Sequence, residues 1–192
     1  VELPLNKTLE KLQKTDFFSK ISLQYYPDKK LLIKAEIKTP YLKIKVDNTI
    51  RYLTENGLVF GKANKKDKNL LLIEGIFPKN FSFKYDKFSS LIIPAKYKQL
   101  ILEAIEVYQQ AKQNKTLVLN KLSYKEHRGF LLKIKSQRNF DVILGFKPFT
   151  SKFKKLNAIL NSLQLENKTP QIIELDYQGK AFVKVYSDKK PA

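Results

Sequence analysis

The sequence predicts an α+β fold, in which a short α-β-β segment precedes a mostly antiparallel β-domain with two helices on one face. Lysines alternate with apolar residues in many short runs, such as residues 43–46, which is typical of half-buried strands. Two longer segments instead repeat their apolar residues at helical spacing. The 192 residues are 43% hydrophobic and 12% aromatic, so the chain can bury a folded core.

The first part of the chain is predicted to form the α-β-β segment. Three leucines recur at helical spacing behind an asparagine that can cap the helix. Two β-rich runs then flank a turn of residues 27–30, in which proline and aspartate favour a reversal. These signals predict a helix over residues 5–14 and strands over residues 21–26 and 31–38.

A domain junction is expected near Thr39. Pro40 has no amide hydrogen, so it interrupts strand pairing before the alternating pattern resumes. We therefore expect two domains, residues 1–39 and residues 40–192.

The second domain carries mostly strand signals. Asn56-Gly57 supplies the positive φ angles of a tight hairpin, and Pro94 opens the longer helix. Aromatic residues between residues 77 and 88 either pin an irregular segment onto the core or stack on a ligand. The predicted strands cover residues 41–46, 49–53, 58–60, 70–74, 116–124, 130–136, 141–144, 172–177 and 181–186, and the predicted helices cover residues 94–113 and 151–165.

The positive charge does not by itself indicate a nucleic-acid partner. The chain has 37 Lys and Arg against 18 Asp and Glu, a formal net charge of +19. Only Arg51, Arg128 and Arg138 are arginines, whereas readers of base edges rely on the arginine fork. The lysines are spread along the chain as on solvated strand faces, which leaves weak, salt-screened attraction to anionic surfaces open.

The sequence contains few residues that could carry out catalysis. The chain has no cysteine and one histidine, His127, beside Glu126 in a predicted turn. Its carboxylates are scattered singly, and no phosphate-binding glycine motif occurs. We therefore predict no catalytic residues, no metal and no cofactor, and place a hydrolase using His127 last among the alternatives.

The sequence has no apolar run of the roughly 20 residues that a membrane-spanning helix needs. It begins at Val1 and contains no methionine, so we expect a fragment whose anchor or signal lies upstream.

The order of these signals resembles the extracytoplasmic part of the bacterial cell-division family FtsQ/DivIB. The sequence differs from the family pattern at two places: Ile37-Lys38 replaces a common Glu-Arg pair, and Asp176 stands where arginine is common. The matching stretches are residues 16–21 (DFFSKI), 25–27 (YYP), 31–36 (LLIKAE), 38–40 (KTP), 52–60 (YLTENGLVF), 142–145 (VILG) with the following Lys155-Leu156, and 173–177 (IELDY) with Gly179.

The resemblance implies a partial POTRA module in residues 1–39, whose first strand and helix lie upstream, and an FtsQ-type β-domain in residues 40–192. It implies a non-catalytic divisome scaffold on the extracytoplasmic, periplasmic side of the bacterial cytoplasmic membrane, held by one membrane-spanning segment absent here. It further implies that the chain recruits FtsB and FtsL to the division septum, with the tail of FtsB adding as a strand to the last strand of the β-domain. No nucleic acid or small-molecule substrate is expected.

The residues of that last strand can be examined physically, because a free strand edge is a template for strand addition. Ala181, Val183 and Val185 alternate with Phe182, Lys184 and Tyr186, so the first set is predicted to face the core. The second set either presents aromatic anchors or packs under a helix. The predicted partner-binding residues are Tyr177, Gly179, Lys180, Phe182, Val183, Lys184, Val185 and Tyr186.

Two other functions remain as alternatives from the sequence. One is a basic nucleic-acid-binding module, which would bind tightly at physiological salt. The other is a POTRA-bearing translocation accessory protein, which would be encoded with a β-barrel.

Overall fold

The computed structural model of the chain describes residues 10–12, 16–28, 30–64, 67, 69–79, 81–85, 91–114, 117–177 and 179–186. The strands are β1 (Phe18–Tyr25), β2 (Leu31–Ile37), β3 (Leu42–Val46), β4 (Thr49–Leu53), β5 (Val59–Lys62), β6 (Leu72–Glu74), β7 (Lys84–Tyr85), β8 (Leu91–Ile92), β9 (Val118–Lys125), β10 (Gly129–Lys135), β11 (Phe140–Gly145), β12 (Pro170–Glu174) and β13 (Phe182–Val185). The helices are α1 (Ala95–Gln113) and α2 (Phe149–Leu165).

The predicted α+β class is confirmed. Every strand predicted from the sequence is present, and the largest shift of a boundary is three residues, as in β1, which begins at residue 18 instead of 21. Both long helices are present. The strands β7 and β8 were not predicted, because two residues are too short a run to show a period. The helix predicted over residues 5–14 lies mostly outside the described residues, of which residues 10–12 are helical.

The chain divides into two compact units. The first comprises Val1–Leu70 and Phe77–Gln99, and the second comprises Leu71–Ile76 and Leu100–Ala192. The junction expected near Thr39 falls inside the first unit, between β2 and β3.

A buried ion pair fixes the β1–β2 hairpin at its open end. The ammonium of Lys38 lies 2.6 Å from Asp16 Oδ1, and it also donates to the Asp16 carbonyl at 2.9 Å. The Gly61 N–H donates to the other carboxylate oxygen at 3.4 Å. The rings of Phe17 and Phe60 meet edge-on at 6.1 Å. The hairpin is therefore tied to β5, which lies at one end of the order β3-β4-β5.

Tyr52 ties the loop after β5 to β4. Its hydroxyl accepts a hydrogen bond from the Asn64 N–H at 3.0 Å and donates to Asp67. The Asn64 N–H lowers the pKa of Tyr52, but the hydrogen bond to Asp67, burial and the Asp67 charge together raise that pKa above its ordinary value of 10.0.

The aromatic residues of the irregular segment in the first unit pack against one another. Ring centroids of Phe77, Phe81, Phe83 and Tyr97 are 4.7–5.7 Å apart where they touch. Phe77 is buried, and the other three are half-buried. The described aromatics therefore pin this segment onto the start of α1, which was one of the two interpretations of the sequence.

The second unit contains the strand order β13-β12-β11-β10-β9-β6. Its pairs are antiparallel except β11–β12 and β6–β9, which are parallel. One row of cross-strand partners forms the core, and each member is at most 1% exposed. The row is Ile73, Leu122, Leu132, Val142 and Ile173, and it ends on β13 at the half-buried Val183.

The helices lie on the buried face of these strands. Phe149, at the start of α2, meets Phe130 of β10 edge-on with the centroids 5.6 Å apart. Gln110 of α1 donates to the Thr150 hydroxyl of α2 at 3.4 Å, so the two helices are neighbours. The opposite side, here called the outer face, carries exposed charges such as Lys133 on β10, Asp141 on β11 and Lys184 on β13. Ile172 of β12 lies between the last two in the row of cross-strand partners.

Candidate functional site

The strand β13 lies at the end of the strand order of the second unit. It pairs antiparallel with β12, and no other strand among the described residues lies beyond it. Such an edge leaves backbone donors and acceptors without a ladder partner, so it is a template for another extended chain.

The direction of the backbone groups follows from one hydrogen bond. The Tyr186 N–H donates to the Thr169 carbonyl at 2.9 Å, so the backbone groups of Tyr186 face β12. Because these groups alternate along an antiparallel strand, those of Lys184 also face β12. The N–H and C=O groups of Val183 and Val185 therefore face the free edge.

The side chains of β13 alternate between the two faces, as the sequence predicted. Val183 and Val185 are half-buried, whereas Phe182 and Lys184 are exposed. Ala181 and Tyr186, just outside the strand, are half-buried as well. The exposed fraction of Phe182 is 54%, which leaves more than half of its surface available to a partner. Tyr186 is less available, because its hydroxyl donates to the Asn139 carbonyl at 3.1 Å.

Glu174 organises the surroundings of Phe182. It lies directly opposite Phe182 on β12. One of its carboxylate oxygens lies 3.2 Å from the Arg128 guanidinium, and the other accepts a hydrogen bond from the Tyr177 hydroxyl at 3.2 Å. The ring of Tyr177 is 56% exposed. Tyr177 and Phe182 therefore both lie next to a carboxylate that is paired with Arg128.

The remaining predicted residues occupy the turn between β12 and β13 and the edge itself. Gly179 has φ +67°, and apart from its two chain neighbours no atom of the described residues lies within 4 Å of the place where its Cβ would be. Lys180 and Lys184 are both exposed. The structure thus brings all eight predicted residues to one edge of the second unit, with two lysines that would attract acidic groups.

The entry to this turn is fixed by Lys152 of α2. Its ammonium donates to the carbonyls of Leu144 and Phe146 at 2.9 and 2.8 Å, and to Asp176 Oδ1 at 2.9 Å. A Cβ on Gly145, which has φ +75°, would lie 2.0 Å from that same carboxylate oxygen. Asp176 therefore holds the turn against the start of α2.

Sequence reasoning did not connect Arg128, Glu174 or Arg138 with the edge strand. Arg138 lies in the turn between β10 and β11, and its guanidinium is 5.4 Å from the centroid of the Tyr186 ring. These residues are separated from β13 by up to about fifty positions, so only the strand register brings them together. The two strands were predicted from the sequence but their pairing was not, and it is the antiparallel register of β12 with β13 that places Glu174 opposite Phe182.

The other candidate chemistry is not assembled in the described residues. His127 is exposed in the turn between β9 and β10. No group of three or more His, Cys, Asp or Glu side chains able to hold a metal occurs in the part of the chain that the structure describes. None of the described helices is both long and apolar enough to cross a membrane.

In comparisons with known proteins, no family model matches the chain, and no curated protein is significantly similar to it.

Proposed function

We propose that the second unit binds a partner protein by strand addition to β13, and that the chain is the extracytoplasmic scaffold domain of an FtsQ/DivIB-type division protein. The partner is then FtsB, bound together with FtsL at the septum. In this proposal residues 1–39 are part of a POTRA module, residues 40–192 are the β-domain, and an upstream segment anchors the protein in the cytoplasmic membrane. The chain has no catalytic role.

The position of β13 at the end of its strand order carries the proposal. An added strand would pair with the outward N–H and C=O groups of Val183 and Val185. On the outer face it would meet Phe182, which lies opposite Glu174, the partner of both Arg128 and Tyr177. Lys180 and Lys184 favour an acidic partner, chiefly by speeding the encounter.

The direct test is the variant Val183→Pro, which changes a backbone N–H at the free edge. Proline there removes an N–H that faces away from β12, so the native pairing of β13 loses no hydrogen bond. Binding of a synthetic peptide of the FtsB tail, measured by calorimetry, is expected to weaken at least about tenfold, since proline removes a donor and obstructs the approach of the new strand. The control is Val183→Ala, which keeps the N–H.

The side-chain anchors are tested separately. Phe182→Ala and Tyr186→Ala are each expected to weaken the peptide about tenfold, because aromatic anchors dominate many interfaces. If Val183→Pro binds the peptide as tightly as the natural chain, strand addition at β13 is wrong. If Phe182→Ala and Tyr186→Ala bind the peptide normally but Val183→Pro does not, strand addition at β13 is correct and the choice of these two aromatic side chains as anchors is wrong.

A further inference from the structure

The buried face of the second unit is less completely covered at the free edge. The core row of cross-strand partners, from Ile73 to Ile173, is at most 1% exposed, but the row ends on β13 at the half-buried Val183. Val185, two positions further along the same strand, lies on the same face and is also half-buried. Two valines on the side of the helices are therefore only partly covered where the sheet ends.

The apolar stripe of α2 is also less covered toward its end. Its members follow one another at spacings of three and four residues, which places them on one face of the helix. The first three, Phe149, Phe153 and Leu156, are at most 4% exposed. The last two, Leu160 and Leu163, are only half-buried. The C-terminal half of α2 therefore has apolar surface that the described residues do not fully cover.

The end of α2 and the partly covered valines lie in the same part of the second unit. Because α2 connects the neighbouring parallel strands β11 and β12, it packs over these strands and is next to β13. The Lys168 N–H donates to the Leu163 carbonyl at 2.8 Å, and β12 begins two residues later at Pro170. Pro170 lies opposite Val185 of β13. The half-buried end of the stripe and Val185 are therefore at the same end of the sheet.

A strand added to β13 would complete this cover. Side chains at opposed positions of neighbouring strands lie on the same face of a sheet. The residues that pair with the outward backbone groups of Val183 and Val185 would therefore place their side chains beside these valines, on the side of α2. The residue between them would lie on the outer face beside the exposed Lys184, whose neighbour on β12 is Ile172 and not a carboxylate.

We propose that the segment that adds to β13 is an amphipathic strand. Apolar side chains at two of its positions, i and i+2, cover Val183, Val185 and the end of α2, and an acidic side chain between them lies beside Lys184. The inference rests on the proposed function, because the strand reaches these residues only from the free edge. Backbone pairing alone accepts any extended segment, so the two apolar positions select the partner.

The test compares two designed peptides on the intact chain by calorimetry. The probe is acetyl-Thr-Val-Glu-Val-Glu-Val-Thr-amide, in which all the valines share one face of the strand. The comparison peptide, acetyl-Thr-Val-Val-Glu-Glu-Val-Thr-amide, has the same composition but no two valines at positions i and i+2. The alternating peptide is expected to bind about tenfold more tightly, since burying the side chain of one further valine is worth about that factor.

Variants then locate this preference. Leu163→Ala and Val185→Thr are each expected to reduce it to about threefold or less, because each removes apolar surface that the peptide would cover. The matched control is Leu165→Ala, which lies in the same helix, off the stripe, and is 86% exposed, so it should leave the preference unchanged. Circular dichroism checks that each variant is folded. Val185→Thr keeps the shape of the side chain and the backbone N–H, so it decides the test if Leu163→Ala does not fold.

The outcomes separate this inference from the proposed function. If Val183→Pro abolishes binding of both peptides but the natural chain binds them equally well, strand addition stands and the amphipathic strand is overturned. If neither peptide binds the natural chain, the proposed function itself fails. If the natural chain sediments as a dimer that Val185→Thr dissociates, a second copy of the chain covers these valines and the inference is overturned.

Discussion

Replacing Lys38 by methionine is expected to destabilise the first unit by about 3–5 kcal/mol, which is the usual cost of removing one partner from a buried ion pair. The Lys38 and Asp16 side chains are 10% and 8% exposed, and the ammonium lies 2.6 Å from the carboxylate. Methionine keeps the apolar stem of lysine but leaves the carboxylate without its cation. The distant hydrogen bond from the Gly61 N–H, at 3.4 Å, is too long to replace it.

Urea unfolding followed by circular dichroism measures this change. With a denaturant slope of roughly 2 kcal/mol per M, the midpoint of the first unit is expected to fall by about 2 M. Lys34→Met is the matched control, because Lys34 is an exposed lysine of β2 and should change the free energy of unfolding by less than about 0.5 kcal/mol.

A double-mutant cycle isolates the pair itself. Asp16→Asn suits the positive φ of 55° at residue 16, which asparagine tolerates. The double variant Asp16→Asn with Lys38→Met should be more stable than the sum of the single changes predicts, since it leaves no unpaired charge. A loss below about 1 kcal/mol for Lys38→Met, with additive single changes, would refute the reasoning that burial makes this pair necessary.

Three further changes test other contacts. In an alkaline ultraviolet titration of the folded chain, Tyr52 should ionise at a higher pH than ordinary tyrosines, and this late step should be absent in Tyr52→Phe. Because the pKa of Tyr52 is raised in the folded chain, its contribution to stability is present below pH 10.0 and is lost as the pH rises through the raised pKa. Lys152→Met should lower the free energy of unfolding by about 2 kcal/mol, because its charged hydrogen bonds are lost. Gly145→Ala should cost about 1–3 kcal/mol in the same urea assay, and Asp176→Ala in that background should restore part of it.

Most strands could be predicted because apolar and polar residues alternate along them with a period of two. In β10 the alternation marks which residues are buried, whereas β11 is a nearly continuous apolar run whose last four residues are all buried; the predicted boundaries of both strands differ from the observed ones by one residue at each end. The place of β13 at an edge was also expected, although on the resemblance to a family rather than on its own residues. The alternation of residues shows which face of a sheet each side chain lies on, but not which strands are neighbours.

The contacts that were missed all depend on register. The Lys38–Asp16 pair joins residues on either side of a hairpin, and the Arg128–Glu174 pair joins the β9–β10 turn to the end of β12, 46 positions away. A slip of one residue in the β1–β2 pairing would disrupt the first pair, and a slip among β10, β11 and β12 would disrupt the second, because it would exchange the faces of the strand. The contact of Arg138 with the Tyr186 ring likewise joins the β10–β11 turn to the end of β13, which no local pattern encodes.

Lys184 also decides what β13 does not bind. Two identical copies would form the most hydrogen bonds by pairing antiparallel with Val183 opposite Val185, and that register places one Lys184 directly opposite the other. Like charges at opposed positions are destabilising, so homotypic pairing is penalised by the same ammonium that would attract a carboxylate. Lys184 therefore disfavours pairing of two β13 edges with each other. High salt screens the repulsion between the two ammonium groups, so dimers should form first at high salt.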